Sequence, residues 1–386
     1  MPTRNPKAPA MTSPPRRYPF FKGRVALHAI LRAAGIGDGD QILMPGYTCV
    51  VVPNAVNYTG ARPVYLDIEA ATFNLDCDRL EDDAGRKWDP ERTRAIIVQH
   101  TYGIPCDMDR IDTFAQKHDL LVIEDACHAL GSTWRGRPVG SLGDAAFFSS
   151  QWSKPLTTGL GGWAEISNPE LRRALDGILP DYTPPPAAAA WRLEMQYLAF
   201  SALDHPRLFW MIQGIYRFLG NRGLAIGSST SGELSCELPA DYRQGMHPLQ
   251  QRRLRRLLQR MDRTITARRR NTALIEAALQ KAGLPTVTVP DTCDPVFLRY
   301  PLLVENKTAV LAAAKRRRIQ LGDWFLSPIH PNPDRWELAG YVPGTCPVAE
   351  DVCRRVINIP TGTRLSAGEI QRTVDFLAEH GIWSHP

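Results

Sequence analysis

From position 41 to position 168, short apolar runs alternate with amphipathic stretches. The runs QILMP, RPVYLDI, AIIVQH, LLVIED, AAFFSS and GGWAEIS have the length of strands, whereas DMDRIDTFAQKHD spaces its apolar residues along one helical face. Such alternation predicts a large α/β sheet domain with helices on both faces. Further on, Leu254, Leu257, Leu258 and Met261 recur at helical spacing within QQRRLRRLLQRMDRTITARRR, so positions 250–270 read as helical, with an apolar face and a solvated basic face. FLRYPLLVEN and the run ending RVINIP suggest a small α+β domain, closed by the helix SAGEIQRTVDFLAEHG. Ser366, with Glu369 three residues later, makes a capping box at the start of that helix.

One window concentrates reactive side chains: positions 123–162 hold Asp125, His128, Ser149 and Lys154. Asp125 ends a run that reads as a buried strand, so its carboxylate belongs at a strand's carboxyl end, where open α/β sheets bind ligands. Lys154 follows AAFFSS and precedes GLGG, a stretch whose glycines let backbone approach a flat ring. A lysine amine for a Schiff base and a carboxylate to pair with a pyridine nitrogen are what a pyridoxal 5'-phosphate (PLP) site needs. A surface lysine on a β-hairpin accounts for the glycines but not for the buried acid upstream.

Three ordered blocks carry a family resemblance: positions 37–76 (GDGDQILMPGYTCVVVPNAVNYTGARPVYLDIEAATFNLD), AIIVQHTYGIPCDMDRI with the window above, and CPVAEDVCRRVINIPTGTRLSAGEIQRTVDFL. In these the chain resembles the DegT/DnrJ/EryC1/StrS aminotransferases. The resemblance implies PLP-dependent transferase fold type I, aspartate-aminotransferase-like, with a large α/β sheet domain and a small C-terminal α+β domain. It implies that Lys154 is the Schiff-base lysine, Asp125 the pyridinium partner, His128 a neighbour of the ring and its phenolic oxygen, and Ser149 a phosphate ligand. Gly23 and Arg24 stand where relatives have a small-residue turn at a helix start, a place that offers backbone N–H groups to phosphate.

Several positions depart from the family pattern. Where relatives carry an aromatic residue that stacks on the ring, this chain has Cys49, with Tyr47 two positions earlier. Arg24 replaces the usual hydroxyl and reads equally as a phosphate contact or a surface arginine. Arg243, in DYRQGMHPLQ, aligns loosely with a residue that reaches the partner subunit's site in relatives, which implies a homodimer with shared sites. His330, in LSPIHP, matches a histidine lining the acceptor pocket, but the family's nearby Arg and Tyr are replaced by Asp323, Trp324 and Phe325.

With 386 residues, 44% hydrophobic and 22% charged, the chain has the composition of a globular protein large enough for two domains. We expect a flexible arm at 1–17, a large PLP-binding domain at 18–262 with a variant insertion at about 180–235, and a small C-terminal domain at 263–386. The arm is proline-rich and basic without an apolar core, which is unlike a signal peptide, so a cytoplasmic protein is expected. Eight cysteines show neither CxxC pairs nor metal-ligand spacing and read as reduced thiols. The net charge of +6 suits an anionic substrate such as a nucleotide diphosphate; the basic helix is amphipathic, so no nucleic-acid partner is expected. In the insertion, the aromatic stretch 191–224 contains LFWMIQGIYRFLG, which is too short for the ~20 apolar residues of a membrane span. It reads as helices buried at a dimer interface or over the site, or as an interfacial membrane helix.

The expected activity is ping-pong transamination from an amino acid, L-glutamate by resemblance, to a keto sugar on a nucleotide carrier. Three alternatives stand beside it: a sugar dehydratase, whose known examples replace the lysine with histidine; an aminotransferase for a non-sugar ketone; and a non-catalytic regulatory or membrane-surface protein.

Overall fold

The structure is a computed structural model that describes residues 15–83, 86–203, 236–331 and 335–381. Seven strands form its main sheet: β1 (Arg16–Phe20), β2 (Gln41–Pro45), β3 (Arg62–Leu66), β4 (Thr93–Gln99), β5 (Leu121–Asp125), β6 (Ala145–Ser149) and β7 (Gly162–Ile166). Their order is β1-β7-β6-β5-β4-β2-β3. The five from β6 to β3 are mutually parallel, and β7 runs antiparallel to both β6 and β1.

The apolar runs are continuous because the parallel strands are covered on both faces. Ile123 of β5 and Ile97 of β4 join one core, together with Val25, Leu27 and Ile30 of helix α1 (Gly23–Ala33). Val122 and Ile96 join a second core on the opposite face, with Ile111 and Phe114 of the helix Met108–Lys117. The expected large α/β domain is therefore present. Arg16 and Arg17, assigned to the arm from sequence, instead pair in β1 with Ile166 and Glu165.

Strand alternation separates the two acids that end β5. Glu124 is fully buried and accepts backbone N–H groups from Gly140, Leu142 and Gly143 at 2.7–2.8 Å. His100 Nε2 faces its remaining oxygen surface at 3.0 Å while His100 Nδ1 accepts the Cys106 N–H, so the imidazole donates to Glu124. Asp125 is left at the carboxyl edge of the sheet, opposite Gln99 and Phe147.

The stretch read as helical spans two helices: Pro248–Gln259 and Met261–Lys281, separated at Arg260. Gln250 and Leu254 face inward, as do Arg268, Asn271 and Ile275, leaving most arginines solvated. The C-terminal part pairs β8 (Arg299–Leu303) antiparallel with β9 (Val356–Pro360) and packs helix α2 (Lys307–Arg316) near them. The helix Ala367–His380 opens with the expected Ser366 and Glu369 capping box. None of the eight cysteines forms a disulfide. Among the described residues no helix is long and apolar enough to cross a membrane, and no cluster of His, Cys, Asp or Glu could hold a metal ion. The run LFWMIQGIYRFLG, at 208–220, lies outside the described residues.

Candidate active site

The carboxyl edge of the parallel strands collects the window's side chains. Asp125 is 5% exposed, and its Oδ1 accepts the Cys127 N–H at 3.0 Å. Burial pushes its carboxyl upward in pKa, and the Lys154 ammonium is the largest influence opposing that rise. Lys154 lies in the loop between β6 and β7, its backbone N–H donating to Gln151. The same ammonium acts on Cys49, Cys127, His128 and His330, so it stands among all of them.

His128 follows β5 in a turn. Its ring stacks against Trp324 at 5.6 Å, Phe325 at 6.0 Å and Tyr102 at 6.4 Å between centroids. Burial, reinforced by Lys154 and Arg299, holds its pKa well below the ordinary histidine value, so the imidazole is neutral at pH 7. Its Nδ1 is buried with no hydrogen-bond partner among the described residues. A buried orphan nitrogen calls for a polar partner, which a ligand in this cleft would provide.

Ser149 closes β6 beside the start of α1. The two backbones meet closely because of glycine: a Cβ on Gly23 would lie 2.9 Å from the Phe148 carbonyl oxygen, and one on Gly162 would lie 2.3 Å from the Gly23 nitrogen. An eleven-residue helix begins there with no acidic residue in its first turn. Arg24 is buried, not a surface arginine, and its charge acts on Cys49. Helix N–H groups, a serine hydroxyl and a buried guanidinium suit a dianionic phosphate. The residues present therefore fit PLP: a cup for phosphate at Gly23 and Ser149, an acid at Asp125, an amine at Lys154 and an orphan imidazole nitrogen between them.

Cys49, named from sequence for the ring side, is acted on by Arg24, Lys154 and Asp125. Tyr47 is enclosed: its ring packs edge-on against Phe325 at 4.8 Å, and its hydroxyl lies 2.7 Å from that of Tyr102. His330 pairs with Cys49 through a short parallel bridge, and its Nδ1 accepts the Leu326 N–H. Burial pushes its pKa down to about 4. Arg243 is exposed and acts on His28 and Tyr182, apart from the interactions that join Asp125, His128 and Lys154.

Three side chains around Trp324 escaped the sequence reading: Arg299, Asn358 and Lys307. Trp324 forms a wall: Lys154 Nζ lies 5.4 Å and Arg299 Cζ 4.5 Å from the centre of its ring. Asn358 brackets Trp324, accepting its N–H at 3.1 Å and donating to its carbonyl at 3.0 Å, and the Tyr102 hydroxyl donates to the same carbonyl. Lys307 Nζ donates to the carbonyls of Asp323, Phe325 and Cys353 at 2.9–3.0 Å, which fastens the wall to α2. Each left a signal. Arg299 is a cation inside an apolar run, and Lys307 is a cation in the first turn of a helix, where the dipole disfavours it.

The chain aligns with the GDP-perosamine synthase of Caulobacter vibrioides at 46% identity over 149 residues, 39% of this chain and 39% of that one. It is 30% identical over 360 residues to the dTDP-3-amino-3,4,6-trideoxy-alpha-D-glucose transaminase of Streptomyces venezuelae, covering 92% of this chain and 80% of the relative. The crystal structure of a DegT DnrJ EryC1 StrS aminotransferase from Brucella abortus superposes with a TM-score of 0.71 at 20% identity, over 95% of this chain and 86% of that one. The model of the DegT/DnrJ/EryC1/StrS aminotransferase family matches residues 21–178 and 217–378, so the chain belongs to that family and has its PLP-dependent transferase fold, type I.

Proposed function

We propose that the protein uses PLP to move an amino group from an amino acid, L-glutamate in the first instance, to a keto sugar carried on a nucleotide. The observation that carries this reading is the convergence of Asp125, His128 and Lys154 at one sheet edge, a short distance from the phosphate cup of Gly23, Arg24 and Ser149. The sugar transaminases among its relatives support the acceptor class.

When bound, PLP supplies an electron sink for the pair released as the donor's Cα–H bond breaks. Asp125 would hold the proton on the ring nitrogen, and the buried setting strengthens that pairing. Lys154 Nζ takes the proton from the donor Cα and later delivers one to the former carbonyl carbon of the acceptor, acting as base and then acid. Neutral His128 offers one N–H and one lone pair to polar atoms of the ligand. The stack of His128, Trp324 and Phe325 excludes water from that side of the cleft. Cys49 would border the bound ring, and His330 would face the acceptor. Because the donor must leave as a keto acid before the acceptor enters, the kinetics are ping-pong.

The working unit in this reading is a homodimer, with Arg243 reaching a phosphate of the neighbouring site. The exposed stripe Trp191, Met195 and Leu198 supports a covered face, and a monomer by gel filtration would sink this part.

The decisive experiment is an absorbance titration of the protein with PLP, for wild type and Lys154→Ala. A visible band in the wild type alone, lost on adding L-glutamate with release of 2-oxoglutarate, is the expected result. A band indifferent to every amino donor would overturn transamination.

A further inference from the structure

Arg299 sits at the first position of β8, within an otherwise apolar stretch. Its guanidinium lies over the Trp324 ring at 4.5 Å, and Gly322 leaves it room: a Cβ there would stand 2.6 Å from Nη1. Among the described residues it donates no side-chain hydrogen bond and joins no ion pair. Asp323 acts on it only at longer range. Its charge depresses both His128 and His330, so it faces the same cleft. Lys154 approaches the same indole ring at 5.4 Å.

An arginine held in a partly buried cleft without a directly paired anion is costly, since burial penalises its charge and the longer-range influence of Asp323 and Tyr102 offsets only part of that. Its planar fork matches a carboxylate bidentately, and the indole beneath fixes the plane of that fork. The phosphate cup lies elsewhere, at Gly23 and Ser149. Lys154 Nζ and Arg299 Cζ thus lie 5.4 and 4.5 Å from the centre of one indole ring, away from that cup.

We propose that Arg299, stacked on Trp324, is the residue that receives the carboxylate of the amino-acid donor and so restricts the first half-reaction to amino acids over simple amines. This rests on the transaminase reading, and two measurements separate them. The first is calorimetric binding of glutarate, a dicarboxylate without an amine, to the PLP-loaded protein. Arg299→Gln should weaken it by about 30-fold or more, the usual size of a lost charge-assisted pair, and Arg299→Lys should restore part of it. The second is the concentration dependence with which L-glutamate, or 1-butylamine, removes the visible PLP band. Arg299→Gln should shift the glutamate curve by a similar factor and leave the butylamine curve in place.

A normal PLP band in the variant shows that the site is folded. Unchanged glutarate and glutamate curves would overturn the assignment. So would unchanged glutarate binding with lost binding of a nucleoside diphosphate, which would give Arg299 to the acceptor. If the wild type forms no band, the transaminase reading fails, and the same calorimetric comparison of wild type and Arg299→Gln with glutarate, run on the protein without PLP, still tests the arginine.

Discussion

An alanine at position 162 would place its Cβ 2.3 Å from the Gly23 nitrogen and 2.6 Å from the Phe148 carbonyl oxygen, contacts with backbone on both sides that no rotamer can relieve. Gly162→Ala is therefore expected to cost about 1–3 kcal/mol and to pry α1 away from Ser149. Thermal unfolding should report the first effect and a weaker dissociation constant for PLP the second. Loss of stability with unchanged PLP affinity would separate the glycine contact from the phosphate cup. At this scale the sequence is informative where a residue type is scarce and its neighbours are revealing. Lys154, Asp125, His128 and Ser149 stand out within one window. Arg299 is marked only as a cation among the strand residues Leu298, Tyr300 and Leu302, and its task stays hidden because its partner ring is 25 positions away in the chain. Cys49 illustrates the reverse: its position was legible, whereas its surroundings of Arg24, Asp125 and Lys154 depend on three separate elements.

Elements transmit order to the site through α2. Lys307 begins that helix, is 7% exposed, and spends all three ammonium hydrogens on the carbonyls of Asp323, Phe325 and Cys353. Burial brings its pKa down to about 8. Lys307→Met keeps most of the apolar stem but strands three carbonyls, so a loss of about 1–3 kcal/mol is expected from unfolding curves. The variant should also weaken glutamate in the absorbance titration, although Lys307 touches no ligand, because Trp324 and Phe325 lose their anchor. An unaltered donor affinity would mean that Asn358 and Tyr102 hold the wall alone. Hydrophobic pattern revealed the strands and the Ser366 cap well, since both are local in sequence. It merged Pro248–Gln259 with Met261–Lys281 because the apolar spacing runs on across Arg260, and only the backbone break there divides them. The pattern placed Asp125 at the strand's end but gave no task to Glu124, the adjacent acid that the pleat sends elsewhere.

For the whole molecule, acid should act through buried imidazoles. His28, on the inner side of α1, packs edge-on against Tyr242 at 5.4 Å and is 5% exposed. Burial lowers its pKa to about 4, the nearby Arg32 and Arg243 add to the fall, and a hydrogen bond with the Tyr58 backbone opposes it. From the ordinary value of about 6.5 down to about 4, the unfolded chain binds a proton that the folded chain refuses. Stability is then complete above about pH 6.5 and declines as pH falls through this window, with about 3 kcal/mol at stake in His28 alone. His330, whose pKa is also pushed to about 4, and His128, lowered further, deepen the same decline. His28 lies outside the reacting cleft, so His28→Gln separates the two effects: glutamine Nε2 can keep the donated hydrogen bond but cannot titrate. Urea midpoints from pH 7.5 to 4 should fall less steeply for the variant, by about one proton in the slope, while its PLP band stays intact. Superimposable pH profiles would show that His28 takes up its proton in the folded protein and that the acid loss arises elsewhere.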